Sequence, residues 1–138
     1  MLKKIGDMGS IMTEILKFHI IAVVGCSRES GKPSHDVPEY LQEVGYKIIP
    51  VNPFADYILG EKVYKKLSDI PIKIDVVDVF RPSAEALEIT EEAYAIGAKA
   101  VWLQEGIFNE DAQKFAEEHN MLFVMNRCMM KEHYKIEG

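Results

Sequence analysis

The sequence predicts an α/β domain in which a doubly wound, five-stranded parallel sheet lies between two layers of helices. Five short apolar runs alternate with stretches of helical apolar spacing along the 138 residues. Nearly continuous apolar runs are typical of parallel strands that helices cover on both faces. The first strand, helix and second strand span about thirty residues, which is the size of a βαβ unit. These observations predict a Rossmann-like, three-layer α/β/α fold in a single domain.

The five predicted strands are rich in branched aliphatic residues, which favour extended structure. They are His19–Val24, Tyr46–Val51, Ile74–Phe80, Lys99–Leu103 and Met121–Met125.

Apolar residues three and four positions apart predict three helices between these strands. The helices lie around Val37–Val44, Ala86–Ile96 and Ala112–His119. They are expected to end at Gly45, Gly97 and Asn120, residue types that accept the left-handed conformation. Either Ser34 or Asp36 can begin the first of them, and Asn109 is a suitable N-cap for the third.

Two further segments complete the chain. A helix is predicted over about 10–18, ahead of the first strand, because Ile11, Ile15 and Phe18 share one side. The segment from Pro53 to Lys73 contains Gly60 and Pro71, so we expect an irregular crossover with a short helix around Tyr64–Leu67. We therefore expect one domain over 1–138 with its core at about 19–130.

Composition restricts the class of protein. The net charge of −6 argues against a nucleic-acid binder, since such binding depends on lysine and arginine. No apolar run reaches the length of a bilayer span, and no leader peptide is recognisable. The two cysteines are too few for a disulfide framework. We expect a cytoplasmic protein.

The loops after the strands are the expected ligand site, because α/β sheets bind ligands outside the carboxyl ends of their strands. The three arginines, Arg28, Arg81 and Arg127, all fall in these loops. Guanidinium groups suit phosphate recognition, and the helix that follows Gly25 offers N–H groups to an anion. The sequence therefore predicts an anion site at this edge.

Known phosphate motifs do not match the first loop. A P-loop fails because one residue too many separates Gly25 from Gly31 and because Pro33 follows Lys32. The dinucleotide fingerprint fails as well. Asn52 follows the second strand where NAD sites typically have a carboxylate, which favours a ligand with a phosphorylated ribose. NADP and coenzyme A (CoA) both fit this description.

An ordered set of segments carries a more specific resemblance. They are Val24–Ser27, Lys32–Ser34, Gly45–Tyr46, Pro50–Pro53, Ile58–Gly60, Asp75–Pro82, Gly97–Gln104 with Gly106, and Asn126–Cys128. With these segments, the chain resembles the small CoA-binding protein family over residues from about 20 to 130. That family is itself similar to the N-terminal CoA-binding domain of the succinyl-CoA synthetase alpha subunit.

The resemblance implies a set of CoA-binding residues. Those implied to hold the phosphates are Gly25, Cys26, Ser27, Arg28, Lys32 and Ser34. Those implied to flank the adenosine are Asn52, Pro53, Phe80, Arg81 and Pro82. Gln104, Gly106 and Ile107 resemble a Thr-Glu-Gly-Ile-Pro turn that lies near the pantetheine arm in the synthetases, although no proline follows Ile107 here. Asn126 and Cys128 complete the set.

The residues do not predict catalysis. No histidine, cysteine or carboxylate set has metal-ligand spacing, and no nucleophile–base–acid order can be defended. The histidine that carries the phosphoryl group in the synthetases lies in a second domain that has no counterpart in this sequence. The default interpretation of Cys26 and Cys128 is that both are buried and unreactive. If one of them forms a mixed disulfide with CoA, Cys128 is the better candidate.

The interpretation is thus a protein that binds CoA or a short acyl-CoA and is more a binder than an enzyme. Two alternatives stay open: an NADP- or NAD-binding oxidoreductase-like module, and a CoA-binding partner subunit of an acyl-CoA ligase. Neither a nucleic acid nor a membrane is an expected partner. A homo-oligomer stays open.

Overall fold

The computed structural model describes residues 7–137 and contains all five predicted parallel strands. The strands are β1 Ile20–Val24, β2 Lys47–Val51, β3 Tyr57–Ile58, β4 Glu61–Lys62, β5 Val76–Val79, β6 Ala100–Leu103 and β7 Leu122–Val124. The helices are α1 Met8–Ile15, α2 Pro33–Glu43, α3 Ala86–Ala95, α4 Glu110–Glu118 and α5 Met129–Glu137.

Five strands form one parallel sheet in the order β2-β1-β5-β6-β7. From β1 the chain first builds outward to β2 and then returns to the other side of β1 through β5. The β1/β5 pair is therefore the topological switch point, outside whose carboxyl ends such sheets bind ligands. The doubly wound fold predicted from the sequence is confirmed.

Alternating strand residues divide the interior into two cores, one on each face of the sheet. On one face, α1, α2 and α5 cover residues such as Val23, Val76 and Trp102. On the other face, α3 and α4 cover residues such as Val77 and Val101. Because both faces are buried, the strands are apolar at nearly every position, with Lys47 at the start of β2 and Asp78 within β5 as exceptions.

The helix ends follow local rules, with two small differences from expectation. Asn109 caps α4 by accepting a hydrogen bond from the Ala112 N–H at 2.8 Å, as predicted. However, α2 begins at Pro33, which has no N–H to lose and suits a first helical position. Likewise α1 starts earlier than expected, because the Asp7 carboxylate caps it through the Ser10 N–H.

The crossover between β2 and β5 differs from the predicted short helix. Tyr64 pairs with Val51 in an isolated parallel bridge, and the helical turn lies later, at Leu67–Asp69. A small antiparallel hairpin of β3 and β4 turns at Leu59 and Gly60, which both have positive φ. Two-residue strands are too short to show an apolar period, so periodicity misses them.

The C-terminal helix α5 was not predicted. Met129 is fully buried at its start, while Tyr134 and Ile136 remain exposed near its end. The Tyr40 hydroxyl and the His133 Nδ1 lie 2.7 Å apart and link α5 to α2. Within residues 7–137, none of the helices is long and apolar enough to cross a bilayer.

Candidate functional site

A cleft of about 350 Å³ opens at the carboxyl edge of the sheet, beside the switch point. Four loops or loop-helix junctions contribute its wall, namely those after β1, β5, β6 and β7. The lining residues are Pro33, Ser34, Val37, Phe80, Gln104, Glu105, Ile107 and Cys128. The wall thus combines apolar side chains with the first turn of α2.

Gly25 makes the sharp turn out of β1, and its place admits no side chain. Its φ is +85°, and a Cβ atom there would lie 2.8 Å from the Phe80 carbonyl oxygen and 3.0 Å from Cδ of Arg81. A glycine is therefore required both by conformation and by the close approach of the turn after β5. This contact brings the β1 and β5 loops together at the cleft.

The loop after Gly25 is ordered by its own polar groups. The Ser27 N–H donates to the Ser34 carbonyl at 3.0 Å, and the Gly31 N–H donates to Asp36 Oδ1 at 3.1 Å. In contrast, the N–H groups of Arg28, Ser30 and Ser34 have no protein acceptor within residues 7–137. Free N–H groups at a helix start are suited to an anion.

The three arginines lie in loops at the same edge of the sheet, but none of them lines the cleft. The Arg81 guanidinium forms a bidentate pair with Glu85, with Nε–Oε1 at 3.0 Å and Nη2–Oε2 at 2.8 Å. Lys32 pairs with Glu29 at 2.9 Å on the surface. Arg28 and Arg127 are exposed and have no carboxylate partner in the described part of the chain.

Two predicted asparagines brace the edge loops. Asn52 donates to the Cys26 carbonyl at 2.8 Å and accepts from the Phe54 N–H at 2.7 Å. Asn126 accepts from the Gly106 N–H at 2.8 Å. The carboxamides therefore connect neighbouring loops, and neither asparagine lines the cleft.

Gln104 lies in the cleft wall, but both polar atoms of its carboxamide form hydrogen bonds within the protein. Its Nε2 donates to Asp78 Oδ1, and its Oε1 accepts from the Met129 N–H at 3.3 Å. Gln104 thereby connects β5, β6 and the start of α5. Its contact with a pantetheine arm stays a prediction, which its position in the wall supports. The carboxamide itself is already bonded to other protein groups.

Asp78 is the least expected polar group at this edge. It is fully buried, and its Oδ2 has no hydrogen-bond partner within residues 7–137. Burial raises the pKa of its carboxyl to about 7, against the lowering effect of the hydrogen bond from Gln104. The strand pattern gives no warning of it, since Asp75 and Asp78 look alike in sequence.

The two cysteines occupy different environments. Cys26 is fully buried, and burial together with the nearby Asp78 raises the pKa of its thiol to about 12. Its thiol therefore stays protonated and unreactive at neutral pH. Cys128 belongs to the cleft wall, with 6% of its surface exposed.

One group of potential metal ligands escaped the sequence analysis. Ligand atoms of His35, Asp36 and Glu39 lie within 4.8 Å of one another on the first turns of α2. However, Asp36 Oδ1 already accepts from the Gly31 N–H and lies 2.8 Å from His35 Nδ1. These contacts order the loop, and we assign no metal to the group.

The structure brings part of the predicted set into the cleft. The predicted residues in its wall are Ser34, Phe80, Gln104, Ile107 and Cys128. Those outside the wall are Gly25, Cys26, Ser27, Arg28, Lys32, Asn52, Pro53, Arg81, Pro82, Gly106 and Asn126, which occupy the same edge loops. Sequence reasoning missed Pro33, Val37 and Glu105. The helical spacing of Val37 could have indicated it, since α2 begins at this edge.

The strand order and the edge cleft define a doubly wound α/β protein of Rossmann-like fold with a site at its switch point. Residues 19–134 match the family described as CoA binding domain. The chain belongs to this family, as the resemblance of its motifs predicts.

Relatives divide into proteins of similar length and much longer ligases. The uncharacterized protein YneT of Bacillus subtilis is 39% identical over 113 residues, covering 82% of this chain and 84% of YneT. The acetate–CoA ligase [ADP-forming] II of Archaeoglobus fulgidus is 36% identical over 99 residues, covering 70% of this chain but only 15% of the ligase. A solved structure, a hypothetical protein from Pyrococcus horikoshii OT3, aligns with a TM-score of 0.89 and 37% identity over 99% of both chains.

Proposed function

We propose that this protein binds coenzyme A or a short acyl-CoA in the edge cleft and the loop that follows β1. The observation that carries the proposal is the cleft at the switch point of a chain that belongs to a CoA-binding family. The same edge offers an apolar groove and a run of N–H donors, which are the two chemistries that CoA requires.

The cleft suits the pantetheine end of the ligand. Its volume of about 350 Å³ is near the lower end of the range for small-molecule sites, roughly 300–1,000 Å³. It is too small to enclose a whole nucleotide with its arm. Val37, Phe80 and Ile107 give it apolar walls for a flexible chain and a short acyl group.

The loop between Gly25 and Ser34 suits the phosphates. The N–H groups of Cys26, Arg28, Ser30 and Ser34 in this loop have no acceptor among residues 7–137, and the Arg28 side chain lacks a carboxylate partner there. Lys32 can exchange Glu29 for a phosphate at little cost, because exposed ion pairs contribute little free energy. Arg81 must first leave its bidentate contact with Glu85, which makes it the more costly partner.

The test is calorimetric titration with CoA, 3′-dephospho-CoA, NADPH and NADH. We expect CoA to bind tightest, since the proposed site reads both the phosphates and the arm. Tighter binding of NADPH or NADH would favour a dinucleotide module and contradict the proposal. Mass spectrometry of any ligand released from the purified protein by heat gives an independent answer.

A second candidate follows from the ligase relatives. This chain corresponds to 15% of the Archaeoglobus fulgidus ligase, so it could supply the CoA site to separate subunits that carry the remaining chemistry. Affinity purification of the tagged protein from its native cells distinguishes the two. A ligase-like subunit that co-purifies stoichiometrically would favour this candidate, and recovery of the chain alone or as a homo-oligomer would favour a self-sufficient binder.

A further inference from the structure

Cys128 is a thiol in the wall of the proposed CoA cleft. It shares that wall with Gln104, Glu105 and Ile107 from the loop after β6. Cys26 lies at the same edge of the sheet, but it is fully buried and is not part of the wall. The structure therefore places only Cys128 in the cleft wall, in agreement with the preference for Cys128 that the sequence suggested.

Cys128 lies at the start of a helix and near a cation. It directly precedes the nine-residue helix α5, and its carbonyl accepts the Glu132 N–H at 3.0 Å. A thiol at the N-terminal end of a helix feels the positive end of the helix dipole. Lys131 is also close: its pKa is raised mainly by its hydrogen bond and charge pair with Glu105, and in part by Cys128.

A second, independent feature is a buried carboxyl that contacts the cleft wall through Gln104. Asp78 is fully buried, and its Oδ2 has no hydrogen-bond partner within residues 7–137. Its other oxygen is bonded to Gln104, which lines the cleft next to Cys128. A buried polar atom without a partner is costly, and a polar ligand group that reached Asp78 beside Gln104 would remove that cost.

We infer that Cys128 exchanges disulfides with oxidised CoA, so that the protein carries CoA as a mixed disulfide in its cleft. This inference rests on the proposed function. In the reaction, the Cys128 thiolate attacks one sulfur of CoA disulfide and forms a new S–S bond to that CoA. The S–S bond of CoA disulfide breaks, and the second CoA leaves as a thiolate that takes up a proton.

Incubation of the wild-type protein with CoA disulfide, followed by intact-mass analysis, tests this step. We expect a mass gain of one CoA less two hydrogen atoms, reversed by dithiothreitol. Peptide mapping should locate the adduct on Cys128 without the need for any variant. An adduct on Cys26, or none at all, would overturn the inference.

Variants and a second oxidant separate a directed reaction from a merely reactive thiol. Cys128→Ser and Cys128→Ala should lose the adduct, whereas Asn109→Ala, which alters a helix cap outside the cleft wall, should keep it. Glutathione disulfide should react more slowly than CoA disulfide, and an equal rate would contradict recognition by the cleft.

Titration with reduced CoA distinguishes a failure of the disulfide exchange from a failure of CoA binding itself. A wild-type protein that binds reduced CoA but forms no adduct refutes only the exchange. A protein that does not bind reduced CoA refutes the proposed function as well.

Discussion

Gly25 shows how a single residue determines the shape of the site. The chain leaves β1 with a positive φ at this residue, and the Phe80 carbonyl oxygen packs where a side chain would begin. The two loops that flank the switch point can approach each other only because Gly25 lacks a Cβ atom. Conformation and contact thus demand glycine for separate reasons.

We therefore expect Gly25→Ala to lower the free energy of unfolding by about 2 kcal/mol or more and to weaken CoA binding. Gly31→Ala is the matched control, since Gly31 also has positive φ but has nothing within 4 Å of the added Cβ. It should cost about 1 kcal/mol from conformation alone. Chemical denaturation and CoA titration of both variants measure the difference, and equal losses would contradict the role of the contact.

Asp78 makes stability depend on pH. Its folded-state pKa of about 7 lies above its ordinary value of 3.8, because burial disfavours the carboxylate. Between these values the folded carboxyl keeps a proton that the unfolded chain has lost. This contribution to stability is therefore complete below the ordinary pKa and is lost as the pH rises through about 7.

Asp78→Asn should remove this dependence while keeping an oxygen to accept from Gln104. Relative to the variant, the wild type should lose stability between pH 5 and pH 8, by an amount of the order of a few kcal/mol. Urea denaturation of both proteins across this range measures the difference. A wild type that gains stability over the variant as the pH rises would show that Asp78 is ionised and paired.

In the proposed site, Arg28 is the cation expected to meet a phosphate. Arg28→Gln should weaken CoA binding about tenfold, since a charged hydrogen bond contributes about 1.5–3 kcal/mol. Arg127→Gln is the matched control, because that arginine is also exposed without a carboxylate partner in the described chain but follows β7. Equal effects in titration would mean that only general charge attracts the ligand.

At the level of elements, the sequence could predict those whose apolar pattern is long enough to read. The five parallel strands lie within the runs predicted for them, and α4 begins after its predicted cap Asn109. The hairpin β3–β4 could not be predicted, because its strands have two residues each. Helix α5 was missed because no element was predicted after the fifth strand, whereas in the structure Met129 anchors this helix in the core.

The site was partly predictable for a related reason. Topology places every post-strand loop at one edge, so residues such as Ser34, Phe80 and Cys128 could be assigned to that edge in advance. The pairing of side chains within these loops could not be predicted in the same way. The contact between Arg81 and Glu85 spans four positions across a helical turn that the strand-based argument did not consider.

The capping of α4 offers a test that separates fold from site. Asn109 accepts from the Ala112 N–H and donates to the Ser83 carbonyl at 2.9 Å. Asn109→Ala should lower the free energy of unfolding by about 1 kcal/mol, the typical value of an N-cap. CoA affinity should not change, because α4 does not contribute to the cleft wall. A loss of affinity in titration would mean that the site extends to this helix.

At the scale of the whole molecule, the net charge cannot attract an anionic ligand such as CoA, so any attraction must come from groups at the proposed site. The chain carries a net charge of −6, and CoA is a polyanion, so the overall field opposes their association. Attraction must come from the N–H groups and guanidinium at the edge, acting over distances shorter than the Debye length of about 10 Å.

The central claim is that CoA binds at the carboxyl edge of the sheet beside the β1/β5 switch point. Backbone amide shifts recorded during titration with CoA test it most directly. We predict the largest shifts at Ser34, Phe80 and Ile107, with the groove around Ile49 and Ile70 at the sheet margin unchanged. Shifts concentrated in that groove, with the edge loops unaffected, would contradict the account.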